Sequence, residues 1–262
     1  MFDDFFRAEH IEFYRELDIS DLVIWNERKY QNMLQRMGTV ESALIFLIPY
    51  NCGQQTTNLS VYAQVRDYHD YLRELTERFR NFLIGIGWEG KVCGFTDSSP
   101  ISERRAALEA GLGVAGENGL VLNEKYGSYF FIGEFFLSRR QAPQPKQEVK
   151  KCVGCHACRK ACPTGAIDDP KRERCLSLLS QKKHLTDDEQ ALVDQAECKW
   201  GCDLCQCVCP MNRTASLTPI PYFQTDLVTH LTEDAIAAPE EEFSRRAYAW
   251  RGREVLRRNL KK

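Results

Sequence analysis

Cysteines with iron–sulfur spacing fill the region from residue 152 to residue 210, which holds ten of the twelve cysteines. The first run, Cys152-Val-Gly-Cys155-His-Ala-Cys158-Arg-Lys-Ala-Cys162-Pro163, has the C-x2-C-x2-C-x3-C-P spacing of bacterial two-cluster ferredoxins. A second, less regular run ends in Cys209-Pro210. In such proteins the first three cysteines of a run bind one [4Fe–4S] cluster and the fourth binds the other. We therefore expect two [4Fe–4S] clusters that pass single electrons.

This crossing rule accounts for all but one of the thiolates that two clusters need. One set is Cys152, Cys155, Cys158 and Cys209, and the other begins with Cys162, Cys202 and Cys205. The candidates for the missing ligand are Cys175, Cys198 and Cys207. Cys207 lies two residues from both Cys205 and Cys209, too close to replace either in a regular loop. Spacing alone does not choose between Cys175 and Cys198.

The composition is that of an ordinary globular chain, 43% hydrophobic and 27% charged, with a net charge of −2. A net charge of this sign and size gives no overall positive potential that would attract nucleic acid or an anionic membrane. We expect no signal peptide and no transmembrane helix. Clustered cysteines without an export signal predict metal binding in the reducing cytoplasm, and the spacing favours iron–sulfur over zinc. Cys52 and Cys93, outside the cluster region, are interpreted as small buried residues.

Hydrophobic periodicity predicts the elements that must position these cysteines. We expect a helix across residues 1–37, a buried strand at 43–50 and a helix from Tyr62 to Leu83. Ser99 and Pro100 have the residue types that begin a helix, here running to Leu112. Strands are predicted at 91–95, 119–123 and 129–137. Thr186 and Glu189 fit a capping box that opens a short helix.

The alternation of helices and strands up to residue 138 predicts a mixed layer of helices and sheet. A linker with two prolines, Arg139–Lys151, leads from it into the cysteine region. The chain is therefore predicted to have three regions: an α/β region at 1–138, a double-cluster ferredoxin-type region at 139–218, and an arginine-rich helical tail at 219–262.

Eight further motifs resemble those of the epoxyqueuosine reductases. In chain order they are Arg66-Asp-Tyr-His69, Asp97-Ser-Ser-Pro-Ile-Ser-Glu-Arg104, Ala110-Gly-Leu-Gly113, Tyr126-Gly-Ser-Tyr-Phe-Phe-Ile-Gly-Glu134, Cys162-Pro-Thr-Gly-Ala-Ile167, Arg174-Cys-Leu-Ser177, Gly201-Cys-Asp-Leu-Cys205 and Trp250-Arg-Gly252. Members of that family are cobalamin-dependent iron–sulfur enzymes that reduce an epoxide to an alkene in the last step of making the tRNA base queuosine. The resemblance implies an α+β fold, with a nitroreductase-like cobalamin-binding domain followed by a ferredoxin-like double [4Fe–4S] domain.

The resemblance also implies roles for individual residues. The family's second cluster takes a cysteine from the motif matched by Arg174-Cys175-Leu-Ser177, so Cys175 is the expected missing ligand. Asp97 matches the family's proton donor, and protonating a departing alkoxide is a sensible task for a carboxylic acid. By the same alignment, the expected cobalamin contacts are Ser60, Asn118, Ser128 and Ser177.

Two features depart from the family pattern. Glu117 stands where many members have lysine, which reverses a charge expected beside the cofactor or substrate pocket. Longer members continue into helical repeats that grip tRNA, and this chain is expected to be a short form whose basic tail is the available phosphate-binding surface. The tail cations are Arg245, Arg246, Arg251, Arg253, Arg257, Arg258, Lys261 and Lys262.

The favoured hypothesis is a monomeric cytoplasmic reductase of the epoxyqueuosine reductase type, with tRNA as a possible partner and reduced flavodoxin or ferredoxin as electron donor. One alternative keeps the corrinoid but changes the substrate to a free nucleoside or another small electrophile such as an organohalide. The other is a non-enzymatic two-cluster electron carrier, in which the α/β region serves only for docking.

Overall fold

A four-stranded antiparallel sheet forms the centre of the computed structural model, which describes residues 1–261. The strand order is β1 (Tyr14–Asp18), β2 (Ser42–Pro49), β6 (Phe130–Leu137) and β3 (Val92–Phe95). A separate two-stranded ladder pairs β4 (Val114–Ala115) with β5 (Val121–Leu122). The predictions of strands at 43–50, 91–95 and 129–137 are confirmed to within two residues at each end.

Helices cover both faces of this sheet. They are α1 (Asp3–Ala8), α2 (Glu27–Met37), α3 (Val61–Gln64), α4 (Tyr68–Gly85) and α5 (Glu103–Glu109). Every residue of β2 is buried, because alternate side chains enter two different hydrophobic clusters. Leu44, Phe46 and Ile48 pack in the cluster that contains α1 and α4, and the residues between them pack in the cluster that contains α2 and α5.

Gly133 is required by the close packing at the middle of the sheet. It lies opposite Phe46 in the ladder between β2 and β6. A Cβ atom at Gly133 would lie 2.3 Å from the Phe46 ring. The ring therefore fills the space that a side chain would need, and it packs against Phe135 with ring centroids 4.7 Å apart and the ring planes tilted by 47°.

Short helices separated by irregular loops make up the cysteine region. They are α6 (Ala157–Ala161), α7 (Leu176–Leu179), α8 (Asp187–Gln195) and α9 (Leu204–Cys207). The predicted capping box is confirmed: Glu189 N–H donates to the Thr186 hydroxyl at 3.3 Å, and Thr186 N–H donates to the Glu189 carboxylate at 3.1 Å. Isolated β-bridges, Leu59 with Trp200 and Ala115 with Lys151, join this region to the N-terminal half.

The C-terminal region folds back on the rest of the chain. Its helices are α10 (Glu233–Ala237), α11 (Glu240–Phe243) and α12 (Arg253–Leu260). Phe223 is fully buried in the same cluster as α4, and Arg246 is only 3% exposed. The division at residues 138 and 218 stays a prediction, but the structure packs the third region against the other two as part of their core.

Most guanidinium groups of the arginine-rich tail contact acids or carbonyls of this chain. Arg246 pairs with Asp226 at 2.7 Å and Arg253 with Glu240 at 2.8 Å. Arg258 donates to the Lys182 carbonyl at 2.8 Å. These contacts reduce the number of cations that the tail can offer to phosphates. Lys262, another of the tail cations, lies outside the described residues.

The prediction of one helix across residues 1–37 is wrong. The structure has α1, then the strand β1, and then α2 after a short 3-10 turn. Tyr14 and Leu17, which fitted a helical period, lie instead on a strand whose backbone pairs with β2. Five residues are too few for periodicity to separate helix from strand, and the pairing partner decides the outcome.

Two other local predictions need correction. The helix expected at Ser99 begins at Glu103, because the Ser99 hydroxyl binds the Glu134 carboxyl instead of capping a helix. The strand expected at 119–123 is limited to β5, and its partner β4 was not predicted. No helix among residues 1–261 is long and apolar enough to cross a membrane.

Candidate active site and cluster-binding region

Eight cysteines line two small cavities, four in each. Cys152, Cys155, Cys158 and Cys209, hereafter the first thiol set, line one cavity of about 20 Å³. Cys162, Cys175, Cys202 and Cys205, hereafter the second thiol set, line another of about 50 Å³. In both sets, cysteines from the two separate runs meet, as the crossing rule expects.

The shape of these cavities suits a cluster better than a single ion. Within residues 1–261, no group of three or more His, Cys, Asp or Glu side chains is arranged to hold one metal ion. A zinc ion needs its four sulfur ligands about 2.3 Å from one centre. A [4Fe–4S] cluster spreads its thiolates over four iron atoms, so four thiols around a cavity fit it.

The other candidate ligands lie outside both cavities. The Cys198 thiol donates to the Trp200 carbonyl at 3.2 Å, and burial raises its pKa to about 12. Cys207 is exposed, with its sulfur 3.6 Å from the Thr56 hydroxyl. Neither thiol lines a cavity of the two thiol sets, whereas Cys175 lies among the second thiol set.

A larger cavity of about 680 Å³ lies between the α/β region and the cysteine region. All five residues proposed as proton donor or cofactor contacts line it: Ser60, Asp97, Asn118, Ser128 and Ser177. Cys175, Cys202 and Cys205 of the second thiol set line it as well. We call it the main cavity. A group bound there would lie beside the second thiol set.

Asp97 lies on an exposed turn after β3, with a left-handed φ of 57°. Its carboxylate accepts a hydrogen bond from the Tyr68 hydroxyl. Tyr68 is held by stacking on Phe131, with ring centroids 3.8 Å apart. Burial and the nearby Asp97 charge raise the pKa of Tyr68, so this hydroxyl stays protonated and acts as a donor.

His69 adds a second polar group to the same wall. It stacks on Tyr68, with ring centroids 4.2 Å apart, and its Nδ1 lies 2.8 Å from an Asp67 oxygen. Burial lowers the pKa of His69, but the hydrogen bond and charge of Asp67 outweigh it and raise the pKa overall. The hydrogen bond and charge of Asp67 therefore stabilise the protonated form of His69 relative to a free imidazole.

The hydroxyls of Ser60 and Ser128 hold the loop of the second cysteine run. Ser60 donates to Asp203 at 2.6 Å, and Ser128 donates to Gln206 at 2.7 Å. Asp203 is 1% exposed and also accepts the Val61 N–H at 2.7 Å. Both serines line the main cavity, yet their hydroxyl protons serve contacts within the chain.

Asn118 differs, because the nitrogen of its side-chain amide is buried and has no hydrogen-bond partner among residues 1–261. A buried amide without a partner is costly, so this group points to a ligand acceptor. The nearby Arg172 guanidinium binds the Asn118 and Glu117 carbonyls and also lines the main cavity. Within the described part of the chain, the Ser177 hydroxyl has one hydrogen-bond partner, the Gln181 amide nitrogen, at 3.4 Å.

The Glu117 side chain does not line the main cavity. It lines the cavity of the first thiol set, where one oxygen lies 3.0 Å from His156 Nδ1 and the other 3.6 Å from Arg159. The expectation of a reversed charge beside the cofactor or substrate pocket is therefore wrong for the main cavity. The next residue, Asn118, lines the main cavity and the cavities of both thiol sets.

Sequence reasoning singled out no role for several residues of this site. Tyr68, His69, Arg172 and Asp203 all line the main cavity. The available signal was local: Asp203 is a carboxylate between two predicted ligands, and Tyr68 and His69 belong to one of the quoted motifs.

Comparisons with known proteins agree with this arrangement. Residues 151–212 match the family described as a 4Fe-4S double cluster binding domain. The epoxyqueuosine reductase of Pseudomonas aeruginosa is 39% identical over 175 residues, covering 63% of this chain and 47% of that protein. The Bacillus subtilis enzyme of the same name is 30% identical over 204 residues, covering 74% and 52%. The chain thus spans about half the length of these relatives.

A solved structure shares the fold over nearly the whole chain. It is an epoxyqueuosine reductase crystallised with a tRNA-Tyr epoxyqueuosine-modified stem loop. The TM-score is 0.77 at 22% identity, with 98% of this chain and 78% of that chain covered. The chain is therefore related in sequence to the epoxyqueuosine reductases and has their α+β fold with a double [4Fe–4S] cluster domain.

Proposed function

We propose that this protein is a cobalamin-dependent iron–sulfur reductase that converts epoxyqueuosine in tRNA to queuosine. The observation that carries the proposal is the main cavity, where Asp97 and three cysteines of the second thiol set line one space. A proton donor and an electron source on one cavity are what a reductive removal of oxygen requires. The relatives' name and the tRNA stem loop in the similar structure support the same substrate.

The main cavity offers suitable contacts for a corrinoid. Its walls combine aromatic rings with polar groups, and the unpartnered Asn118 amide supplies a donor. Asn118 and Ser177 would contact the cofactor directly, and Ser60 and Ser128 would support it through Asp203 and Gln206. When bound, cobalamin would supply a strongly reducing cobalt centre for electron transfer.

Side chains of this protein would donate the protons that the reaction consumes. Turning an epoxide into an alkene and water consumes two electrons and two protons, and the protons go to the departing oxygen. Asp97, oriented by Tyr68, is proposed to deliver a proton to that oxygen. Substrate bound over Asp97 and Tyr68 in the main cavity would exclude water and strengthen the hydrogen bond between them.

The two thiol sets suggest a direction for electron flow. Cys155 of the first set is exposed, and its neighbour Val153 is 78% exposed. The second set instead borders the main cavity. We infer that a reduced flavodoxin or ferredoxin donates to the first cluster, which passes electrons to the second. Action as a monomer in the cytoplasm is part of the same proposal.

The test is an anaerobic assay of the reconstituted protein with epoxyqueuosine-containing tRNA. We expect queuosine to form only when both clusters and cobalamin are bound. Asp97→Asn should lower turnover about 10²-fold or more, because a general acid contributes on that scale. Asp194→Asn, at an exposed aspartate of α8, is the matched control and should behave as wild type. Full clusters without corrinoid uptake or turnover would instead support the electron-carrier alternative.

One observation favours a smaller substrate as the second candidate. The tail arginines expected to bind phosphates are largely paired with acids of this chain. A free nucleoside or another small electrophile would not need those cations. Comparing turnover of the modified tRNA stem loop with turnover of the free nucleoside decides between the two, since this candidate requires activity on the nucleoside.

A further inference from the structure

The turn that carries Asp97 is tied to an N-terminal segment that has no part in the mechanism described so far. The Trp25 backbone N–H donates to the Pro100 carbonyl at 3.0 Å, and an isolated β-bridge pairs Ile24 with Ile101. This segment therefore lies beside the stretch of chain that directly follows the turn.

Two side chains of the same segment bind the turn itself. Trp25 Nε1 donates to the Ser99 carbonyl at 3.3 Å, and Lys29 Nζ donates to the Ser98 carbonyl at 3.0 Å. The contacts join residues that are 74 and 69 positions apart in the chain, so only the tertiary structure creates them. We call Trp25 and Lys29 the latch.

The beginning of α2 places the two latch residues. Asn26 is the N-cap of α2, and its side chain accepts the Lys29 backbone N–H at 3.0 Å. Lys29 is thereby fixed in the first turn of the helix, four residues after Trp25. Trp25 is 66% exposed, so packing in the core does not account for its position.

The Asp97 turn depends on contacts from outside itself. Residues 96–100 have no helix or strand, and Asp97 has a left-handed φ of 57°, which is costly for a residue with a Cβ atom. Asp97 and Ser98 line the main cavity, where the Tyr68 hydroxyl binds the Asp97 carboxylate. The latch residues do not line that cavity. They contact the backbone of the turn, and any effect on the reaction would pass through Asp97.

The charge of Lys29 also acts within this site. Burial and the Asp97 charge raise the pKa of Glu103 to about 8, and the Lys29 charge is among the groups that oppose this rise. A substitution that removes the Lys29 charge must therefore be compared with one that keeps it.

We propose that Trp25 and Lys29 are positioning residues, which hold the Asp97 turn so that its carboxyl group stays in the main cavity. The inference rests on the proposed function, in which Asp97 gives a proton to the departing oxygen. Without the latch, the turn would spend part of the time in conformations that place Asp97 elsewhere. The rate of the reaction would fall with the fraction of molecules in which Asp97 is correctly placed.

Amide hydrogen exchange of the cluster-loaded protein without substrate tests the latch directly. The Ser98 N–H donates to the Thr96 carbonyl at 2.6 Å, within the turn. It should exchange about fivefold to tenfold faster in Trp25→Phe and in Lys29→Met, the effect of one lost hydrogen bond. Lys29→Arg keeps a charged donor and should restore slow exchange. Arg28→Met, at an exposed arginine in the same turn of α2, is the matched control and should change nothing.

Kinetics of the holoenzyme with modified tRNA separate positioning from a general loss of structure. Trp25→Phe and Lys29→Met should each lower kcat about fivefold and leave KM unchanged. In an Asp97→Asn background, the same substitutions should cause no further fall in the single-turnover rate, because the latch acts through Asp97. An equal further fall in that background would overturn the proposal. So would a rise in KM with unchanged kcat, which would show contact with the substrate.

Failure of the latch and failure of the proposed function give different results. If the wild-type holoenzyme has no turnover, the proposed function fails, and the exchange measurement still decides whether Trp25 and Lys29 hold the turn. Ser98 exchange at the wild-type rate in both variants would overturn the latch and leave the proposed function standing.

Discussion

Replacing Asp203 should loosen the contact between the α/β region and the cysteine region. Its buried carboxylate accepts four hydrogen bonds, from Ser60, Val61, Thr56 and Gln206, at 2.6–2.8 Å. Three of these donors belong to the segment that leads into α3. Asp203→Ala would leave all four donors without an acceptor.

The expected cost follows from this geometry. A hydrogen bond to a charged acceptor contributes about 1.5–3 kcal/mol, so the loss of four amounts to about 6 kcal/mol or more. For a chain of this size, that loss corresponds to a fall in Tm of roughly 15 °C or more. Asp203→Asn keeps one acceptor oxygen and replaces the other with an NH2 group, which cannot accept a hydrogen bond. About half of the hydrogen bonds should therefore remain, and the loss of stability should be about half as large.

The assay is anaerobic thermal unfolding of the cluster-loaded protein, combined with amide hydrogen exchange. The Val61 N–H should exchange faster in both variants, since its acceptor is Asp203 Oδ2. Asp194→Asn, at an exposed aspartate, is the control and should change neither readout. A Tm near wild type for Asp203→Ala, with unchanged Val61 exchange, would refute the proposed link between the two regions.

Three further predictions concern the clusters, the cofactor and pH. Cys175→Ser should reduce iron from about eight to about four per chain in anaerobic preparations, whereas Cys207→Ser should retain about eight; equal losses would contradict the ligand assignment. Asn118→Ala should weaken cobalamin binding about fivefold to tenfold, the effect of one lost hydrogen bond, as measured by equilibrium dialysis. Unchanged binding would exclude Asn118 as a contact. Because the folded pKa of Glu103 is about 8 and the ordinary value is 4.5, its stabilising contribution is complete below pH 4.5 and is lost as pH rises to about 8. Glu103→Gln should therefore show a shallower fall in Tm across that range, and an unchanged slope would argue against a neutral Glu103.

The parts of the site that sequence reasoning predicted best are those set by covalent spacing. Three cysteines at x2 intervals can reach one cluster because a tight loop brings them together wherever the loop lies. The assignment of Cys175 needed the family motif, because chain distance alone cannot place a residue that returns from a separate helix. Asn118 and Asp97 were proposed in the same way, from the alignment with the family, and their roles stay predictions.

Helices and strands were predicted correctly where their own residues show a clear hydrophobic pattern. The continuous apolar run of β2 and the periodic face of α4 were recognised, although the helix predicted from Tyr62 divides into α3 and α4. β1 did not, because a five-residue strand depends on pairing with β2 and not on its own pattern. The Ser99 prediction failed for a related reason: a distant carboxyl, Glu134, binds the hydroxyl that local chemistry assigned to a cap.

The sequence by itself determined the cluster chemistry, three strands of the main sheet and the resemblance to a family, since these depend on residue type and spacing. Only the tertiary structure decided what surrounds each group. It turned Glu117 toward the first thiol set, occupied the Ser60 hydroxyl with Asp203 and enclosed Glu134 in the core. These outcomes depend on contacts between residues far apart in the chain, where burial and neighbouring charge set what a side chain can do.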